Sequence, residues 1–452
     1  MREIPRIAFY TLGCKVNQNE TEAFSGQFRE KGYEIVDFTA EADVYIINTC
    51  TVTHLADRKS RQMIRRALKV NPQAQIVVTG CYAQTDAEAI RKIAGVSLIV
   101  GTNEKSRLVE LVEDLLKGKL LKGKEQETTI NKPAPQIFVR KYQQGQEFEE
   151  IKLEKSIERS RAYLKVQEGC DQFCSYCIIP YARGPVRSRS LESTLAEAER
   201  LIKAGFREIV LLGIHLGAYG RDLGEGENLV YLLKHLLPLT EQVRWRLGSL
   251  EPVEVSPELL DLMLGYRNFC PHLHLPLQSG HDKILKAMNR PYTTEQYLEI
   301  ITDIRKKIPD IALTTDIMVG FPGETDEHFQ EYLKFVEKVA FSRLHVFKYS
   351  PRRGTPAASF SGQISPAVKE ARSRKMIRLG EKLAKLYAQK FLGQTLDVLV
   401  EEKVAEHTWE GSSANYLKVR FNSDEAPRGQ IIPIYLKKVE KNYCFGDVFQ
   451  LQ

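Results

Sequence analysis

The stretch "AYLKVQEGCDQFCSYCIIPYARGPVRSRS", residues 162–190, decides how the rest of the chain is read. A short apolar run ends at Gly169 and is followed by Cys170, Cys174 and Cys177 in a C-x3-C-x2-C spacing. The run reads as a strand and the cysteines as the loop after it. Three thiolates without a local fourth ligand do not complete a structural zinc site, which needs four closed positions. They suit a cubane iron–sulfur cluster with one iron open to an outside ligand. Such clusters reach potentials down to about −700 mV, low enough for reductive bond cleavage. His215 or Cys270 can supply a distant fourth ligand, although the spacing favours neither.

Outward from this loop, the apolar runs "EIVLLG", "VRWRLGS", "HLHLPL", "IALTTDIMVG" and "RLHVFKYS" alternate with helical stretches. Six strands over roughly 210 residues are too few for an eight-fold barrel and fit an incomplete one. Residues 1–118 form a second αβ series, with strands "RIAFYTLG", "ADVYIINT", "AQIVVTG" and "SLIVG" and helices between them, so an open parallel sheet is predicted. Cys14, Cys50 and Cys81, 36 and 31 residues apart, stand at or just past the ends of three of these strands. That is the ligand-binding edge of an open parallel sheet, and three cysteines there predict a second metal site. Buried structural thiols are the alternative for any one of them. Residues 119–160 are polar and read as a linker with a strand or two, and 161–390 as the partial barrel with its closing helix. In 391–452, "TLDVLVEE", "NYLKVRF", "QIIPIYLKKVE" and "DVFQLQ" predict a small β-barrel of the oligonucleotide-binding kind, although its 7 basic and 9 acidic residues do not argue for RNA by charge.

A chain of 452 residues has room for two or three domains. No apolar run approaches the roughly 20 residues that span a bilayer, and "MREIPRIAFYTLGC" lacks the apolar core of a signal peptide. The expected location is therefore the cytoplasm, where clustered cysteines read as metal ligands rather than disulfides. The net charge of +7 is less informative than its local distribution. In "RKSRQMIRRALK" (58–69), Arg58, Arg61, Arg65 and Lys69 fall on one helix face, with Arg66 beside them and no acid in the run. A solvated helix face is one reading and a phosphate-rich partner the other.

Together, "TLGCKVNQNETE", "NTCTVT", "VTGCYAQ", "GCDQFCSYCIIPYARGPVRSRS", "HLHLPLQSGHDKILKAMNRPYT" and "TTDIMVGFPGETDEHF" resemble the methylthiotransferases of the radical S-adenosylmethionine (AdoMet) superfamily, and the β-tail is similar to their RNA-binding TRAM domain. The resemblance spans essentially the whole chain. It implies a 4Fe–4S cluster on Cys170, Cys174 and Cys177 that binds AdoMet at its open iron. It also implies a second cluster on Cys14, Cys50 and Cys81 that carries the sulfur to be inserted, with two AdoMet consumed per turnover. The expected partners are a tRNA anticodon stem-loop, an electron donor such as flavodoxin or ferredoxin, and a sulfur donor that the sequence does not identify. "TLGCKVNQNETE" and "CIIPYARGPVRSR" are most similar to the branch that acts on N6-threonylcarbamoyladenosine 37. The isopentenyladenosine branch and the branch modifying a ribosomal-protein aspartate are the alternatives, and a metal-stabilised RNA-binding protein without catalysis is the competing class. Around the cofactor, Phe173 and Tyr176 are candidates for shielding the cluster or stacking on adenine. Gly213 would allow close approach of AdoMet, and Ser249, Glu251 and Asp316 would bind its polar groups. Arg183, Arg187 and Arg189 would pair with AdoMet carboxylate or RNA phosphate. Packing is the competing role for each, and His215 and His274 read as core histidines.

Overall fold

Near-continuous apolar runs such as "VYIINT" belong in strands covered on both faces, and the computed structural model arranges them so. It describes residues 4–119, 134–143, 145–151 and 160–449. The N-terminal part comprises β1 (Arg6–Thr11), α1 (Lys15–Glu30), β2 (Glu34–Val36), β3 (Val44–Thr49), α2 (His54–Val70), β4 (Gln75–Gly80), α3 (Cys81–Thr85), α4 (Ala87–Arg91), β5 (Val96–Val100), α5 (Leu108–Leu116) and β6 (Gln136–Phe138). The strands form one parallel sheet in the order β2-β1-β3-β4-β5-β6. Two of these strands go beyond the four expected before residue 118. β2 is a short edge strand, and β6 comes from the stretch read as a linker, most of which lies outside the described residues. The order of the strands reverses between β1 and β3, so the ligand crevice of this sheet opens where Cys14 and Cys50 stand.

The second part runs β7 (Ala162–Lys165), β8 (Gln167–Glu168), α6 (Ile179–Arg183), β9 (Arg187–Ser188), α7 (Leu191–Lys203), β10 (Glu208–Leu212), α8 (Leu229–Leu236), β11 (Arg244–Leu247), α9 (Pro257–Gly265), β12 (His272–His274), α10 (Asp282–Ala287), α11 (Thr294–Lys307), β13 (Ala312–Val319), α12 (Asp326–Val339), β14 (Arg343–Lys348) and α13 (Pro366–Gln389). Two parallel three-stranded sheets, β11-β10-β7 and β12-β13-β14, are joined by bridges at Trp245–Phe269 and Ser249–His274. The result is a six-stranded partial barrel. Alternation along each strand divides its residues. Ile209, Leu211, Trp245, Leu273, Leu313 and Ile317 pack under the helices, and their neighbours face the lumen.

The third part is a closed barrel of β15 (Thr395–Ala405), β16 (Thr408–Ser413), β17 (Lys418–Asn422), β18 (Ile431–Glu440) and β19 (Tyr443–Val448), in the order β15-β16-β17-β19-β18. β19 begins earlier than the "DVFQLQ" reading, whose last three residues lie outside the described residues. The two barrels are tied by Glu208. This buried carboxylate is held well below the usual range, burial being overcome by Arg161, Arg246 and Arg244. Arg244 and Arg246 then donate onward to carbonyls of Asp397, Ser412, Ser413 and Ala414. Tyr416 plugs the lower end of the lumen, stacked on His272 at 4.5 Å under the Arg246 guanidinium.

Candidate functional site

Each N-terminal cysteine occupies a strand-to-helix junction. Cys14 caps α1, Cys50 directly follows β3, and Cys81 opens α3 after β4. Because β1, β3 and β4 are neighbours in the sheet, the three thiols gather on one rim. The Cβ that Gly13 lacks would fall 2.9 Å from Cys50 Cβ, which brings the Cys14 turn against Cys50. Burial pushes the Cys50 thiol up to about 12, helped by Cys81.

The barrel cysteines lie on the loop after β8. Gly169, at φ +75°, makes the turn that starts it, and a side chain there would collide with the Pro185 carbonyl. Cys170 N–H donates to Gly184 O at 3.0 Å and Cys177 N–H to Cys174 O at 2.9 Å, curling the loop on itself. Burial raises the Cys177 thiol to about 12, with Cys174 adding to the effect. Cys174 is also raised by burial, against the pull of Arg290, whose Nη1 donates to its sulfur at 3.3 Å. Glu251 and Tyr292 hold that guanidinium in place.

One arginine joins the segment after the barrel cysteines to the N-terminal set. Arg183 ends α6, six residues after Cys177, and is fully buried. Its Nε donates to Cys81 Sγ at 3.2 Å, its Nη1 to Glu20 and Glu168 at 2.7 and 2.8 Å, and its Nη2 to Asn17 Oδ1. Lys105 pairs with Glu20, and Lys165 with Glu168 at 2.9 Å. Among the described residues this buried set therefore holds three cations and two carboxylates. The excess positive charge lies against a cysteine sulfur, as an anionic metal–thiolate group requires. Thiols raised by burial release their protons when a metal binds them. Among the described residues no three His, Cys, Asp or Glu side chains converge closely enough to hold a single metal ion, but both thiol sets, each with an arginine donating to one sulfur, have the donor chemistry of iron–sulfur ligation.

The remaining sequence candidates divide sharply. Arg183 is not open to AdoMet or RNA, since burial and its four partners use the guanidinium. Arg187 is buried as well, donating to the carbonyls of Pro185 and Arg183 and lying over Tyr142. Arg189 is buried against Ser193, Glu150 and Glu197. All three guanidiniums are buried and committed to partners within the protein, which corrects their reading as phosphate or carboxylate ligands. The space beside Gly213 is taken by Gln167 and Leu216, so close packing of the protein itself requires this glycine. Tyr176 packs beside Met288, Phe321 and Tyr349. Phe173, at φ 45°, is half exposed against the edge of Tyr181. Ser249 is bridged to His274 at the end of β11, Glu251 holds Arg290, and Asp316 faces the lumen, 3.4 Å from His274 Nε2.

On α2, Arg58, Arg65, Arg66 and Lys69 are exposed. Arg61 bends back to the Tyr82 hydroxyl at 3.0 Å, one residue from Cys81. Arg58, Arg61, Gln62 and Arg65 line an open depression of about 470 Å³. Arg352, after β14, ties the start of α2 to the barrel through Asp57 and Thr51.

Three contributors escaped the sequence reading, Asn17, Glu20 and Arg290, while His215 was read there as a distant ligand candidate or a core histidine. His215 Nδ1 lies 3.8 Å from Cys170 Sγ, and its Nε2 meets Glu254 at 2.7 Å. Burial opposes its charge, but these two hydrogen bonds overcome it and raise the ring to about 9. Cys270, the other distant candidate, is buried near Arg246 instead. No spacing signal marks these residues, because each acts across an interface between distant segments.

Comparison with known proteins agrees with this geometry. Residues 6–101 match the family described as uncharacterized protein family UPF0004, and residues 164–336 match the Radical SAM superfamily. The fold is similar to that of a radical S-adenosylmethionine methyltransferase, TsrM, from Kitasatospora setae (TM-score 0.56, 14% identity, 78% of this chain and 77% of that one). The segment that matches the Radical SAM superfamily is the partial barrel with the three-cysteine loop at its mouth, a class that implies a 4Fe–4S cluster and AdoMet. The chain is 42% identical to the threonylcarbamoyladenosine tRNA methylthiotransferase MtaB of Bacillus subtilis, over 97% of its own length and 95% of that protein's. It is 35% identical to the tRNA-2-methylthio-N(6)-dimethylallyladenosine synthase of Acetivibrio thermocellus, over 95% and 88%. It belongs to the methylthiotransferase family.

Proposed function

We propose that this protein inserts sulfur and a methyl group at carbon 2 of N6-threonylcarbamoyladenosine 37 in tRNA. The observation that carries the reading is that two three-thiol loops, from two parallel sheets, flank one interface, where Arg183, six residues after Cys177, donates to Cys81. In it, Cys170, Cys174 and Cys177 hold a 4Fe–4S cluster, and Cys14, Cys50 and Cys81 a second one that carries the sulfur. Cys170, Cys174 and Cys177 would hold the group that, with AdoMet bound, would supply one-electron reductive cleavage chemistry. The protein's part is positioning. Arg290 and His215 would steady the thiolates of Cys174 and Cys170, and Arg183 that of Cys81. Glu251 at the barrel mouth would orient AdoMet, and the exposed cations of α2 would grip the anticodon stem-loop near Cys81. Residues 1–118 would deliver sulfur, 161–390 would bind AdoMet, and the 391–452 barrel would hold RNA, with 119–160 linking the first two. An electron donor of the flavodoxin or ferredoxin type and a cytoplasmic location complete the reading. The branch assignment is supported by the higher identity to MtaB.

Mass spectrometry of tRNA nucleosides tests it, in cells lacking the gene and in cells with it restored. Specific loss of the methylthio group from threonylcarbamoyladenosine is expected. Loss from dimethylallyladenosine instead would move the chain to the other branch, and no change in either would sink the tRNA reading. In the purified protein, Cys174→Ala should abolish deoxyadenosine formation while retaining iron at the N-terminal set.

A further inference from the structure

The lumen between the two cysteine sets carries a charge pattern that the iron–sulfur ligation does not use. The first turn of α1 is seated in it. Val16 packs on Val210 and Leu212, the lumen-facing residues of β10, and Asn19 Nδ2 donates to Tyr163 O at 2.8 Å. Lys15, between Cys14 and Val16, is therefore carried to the lumen, and its exposed ammonium makes no hydrogen bond or ion pair among the described residues. Across from it, strand register places His274, Thr314 and Arg343 in one row and Asp316 and His345 in the next. Paired residues of parallel strands share a face, so all five look into the same space. Arg343 is half-buried and likewise makes no ion pair among the described residues. The carboxylate within reach, Asp316, lies 3.4 Å from His274.

Two unpaired cations at the edge of a partly enclosed space form a seat for an anion. The imidazole of His345 registers the field. It is reachable by solvent, yet enclosure by the surrounding protein, then His274, Arg343 and Lys15, hold it down at about 4 despite Asp316. The two nucleosides processed by this family differ in this respect. A threonylcarbamoyl substituent ends in a free carboxylate, whereas a dimethylallyl substituent is a hydrocarbon and leaves such cations without a partner.

We propose that Lys15, with Arg343 beyond it, binds the carboxylate of the threonylcarbamoyl group and selects that substrate over an uncharged one. This rests on the substrate reading above. A hydrocarbon docked over these cations would take them out of water without a partner, so the seat would also act by rejecting it.

Binding of two anticodon stem-loop RNAs to the cluster-loaded full-length chain tests the seat. One RNA carries threonylcarbamoyladenosine and the other its primary amide, which removes only the charge. The unaltered protein should prefer the acid by about tenfold, as expected for one partly solvated ion pair. Lys15→Gln should bring the ratio close to one, Arg343→Gln should lower it, and Lys15→Arg should keep most of it. Equal affinity of the unaltered protein for acid and amide overturns the proposal. So does a Lys15→Gln variant that weakens both RNAs alike, which would make Lys15 a general phosphate or packing contact. Nucleoside analysis separates the two levels. Absence of methylthio product from the acid RNA with the unaltered protein overturns the substrate reading and this proposal with it. Product formation without an acid-over-amide preference overturns this proposal alone.

Discussion

Replacing Glu20 by glutamine removes one of the two carboxylates from the buried set formed with Arg183, Lys105, Lys165 and Glu168, and leaves three cations facing a single acid. Burial by itself would raise the Glu20 carboxyl, but Arg183, Lys105 and Lys165 more than overcome it and hold it at about 2, against an ordinary 4.5. That gap corresponds to about 3 kcal/mol at neutral pH. Glu20 is only 1% exposed, so solvent screening does not discount the figure. The folded-state value is depressed, so the contribution is fully present above about pH 4.5 and is lost as pH falls through about 2. Because a chain of several domains has no single unfolding free energy, the assay is hydrogen exchange of the α1 amides in the metal-free protein. Glu20→Gln should lower the local opening free energy by about 3 kcal/mol at pH 7, with the difference from the unaltered protein closing at low pH. Lys105→Met is the control. Burial and Arg183 push Lys105 down despite Glu20, and its loss leaves two cations for two acids, so it should cost less. A Glu20→Gln effect under about 1 kcal/mol, or a Lys105→Met effect as large as that of Glu20→Gln, would refute the charge count.

Three further outcomes are expected. Arg290→Gln removes the donor to Cys174 and the partner of Glu251, so metal affinity at the barrel set should fall about tenfold or more, read as iron retained after chelator challenge. Reversing Arg58, Arg65 and Arg66 to glutamate should weaken tRNA binding and flatten the plot of log affinity against log salt by about 2–3, and an unchanged slope would show that this face does not touch phosphate. Gly411→Ala drives a side chain into the Leu399 carbonyl where β15 and β16 pair, and should destabilise the C-terminal barrel by about 2 kcal/mol in thermal melts.

β16 also shows how a strand escapes a sequence reading. "TWEGSS" has no alternating apolar pattern, because Gly411 is there to let two backbones approach and Ser412 and Ser413 are buried by their neighbours rather than by hydrophobicity. β6 was partly hidden for a related reason. It is a three-residue edge strand whose pairing with β5 lies beyond any local pattern.

The arginines after the cysteine loop mark the boundary most clearly. Cysteine spacing and strand periodicity are local properties, and from them alone followed the three-part architecture, the two three-thiol sets and the rim on which the first set stands. Arg183, Arg187 and Arg189 look alike in sequence, yet all three are interior, and what each one meets depends on segments far along the chain. Arg183 finds Glu20 163 positions away, and Arg290 finds Cys174 116 positions away. Burial and charge pairing are set by what folding brings together, so the partners of the thiols, the excess cation beside Cys81 and the placing of Lys15 and Arg343, unpaired among the described residues, in the lumen were decided only by the tertiary structure.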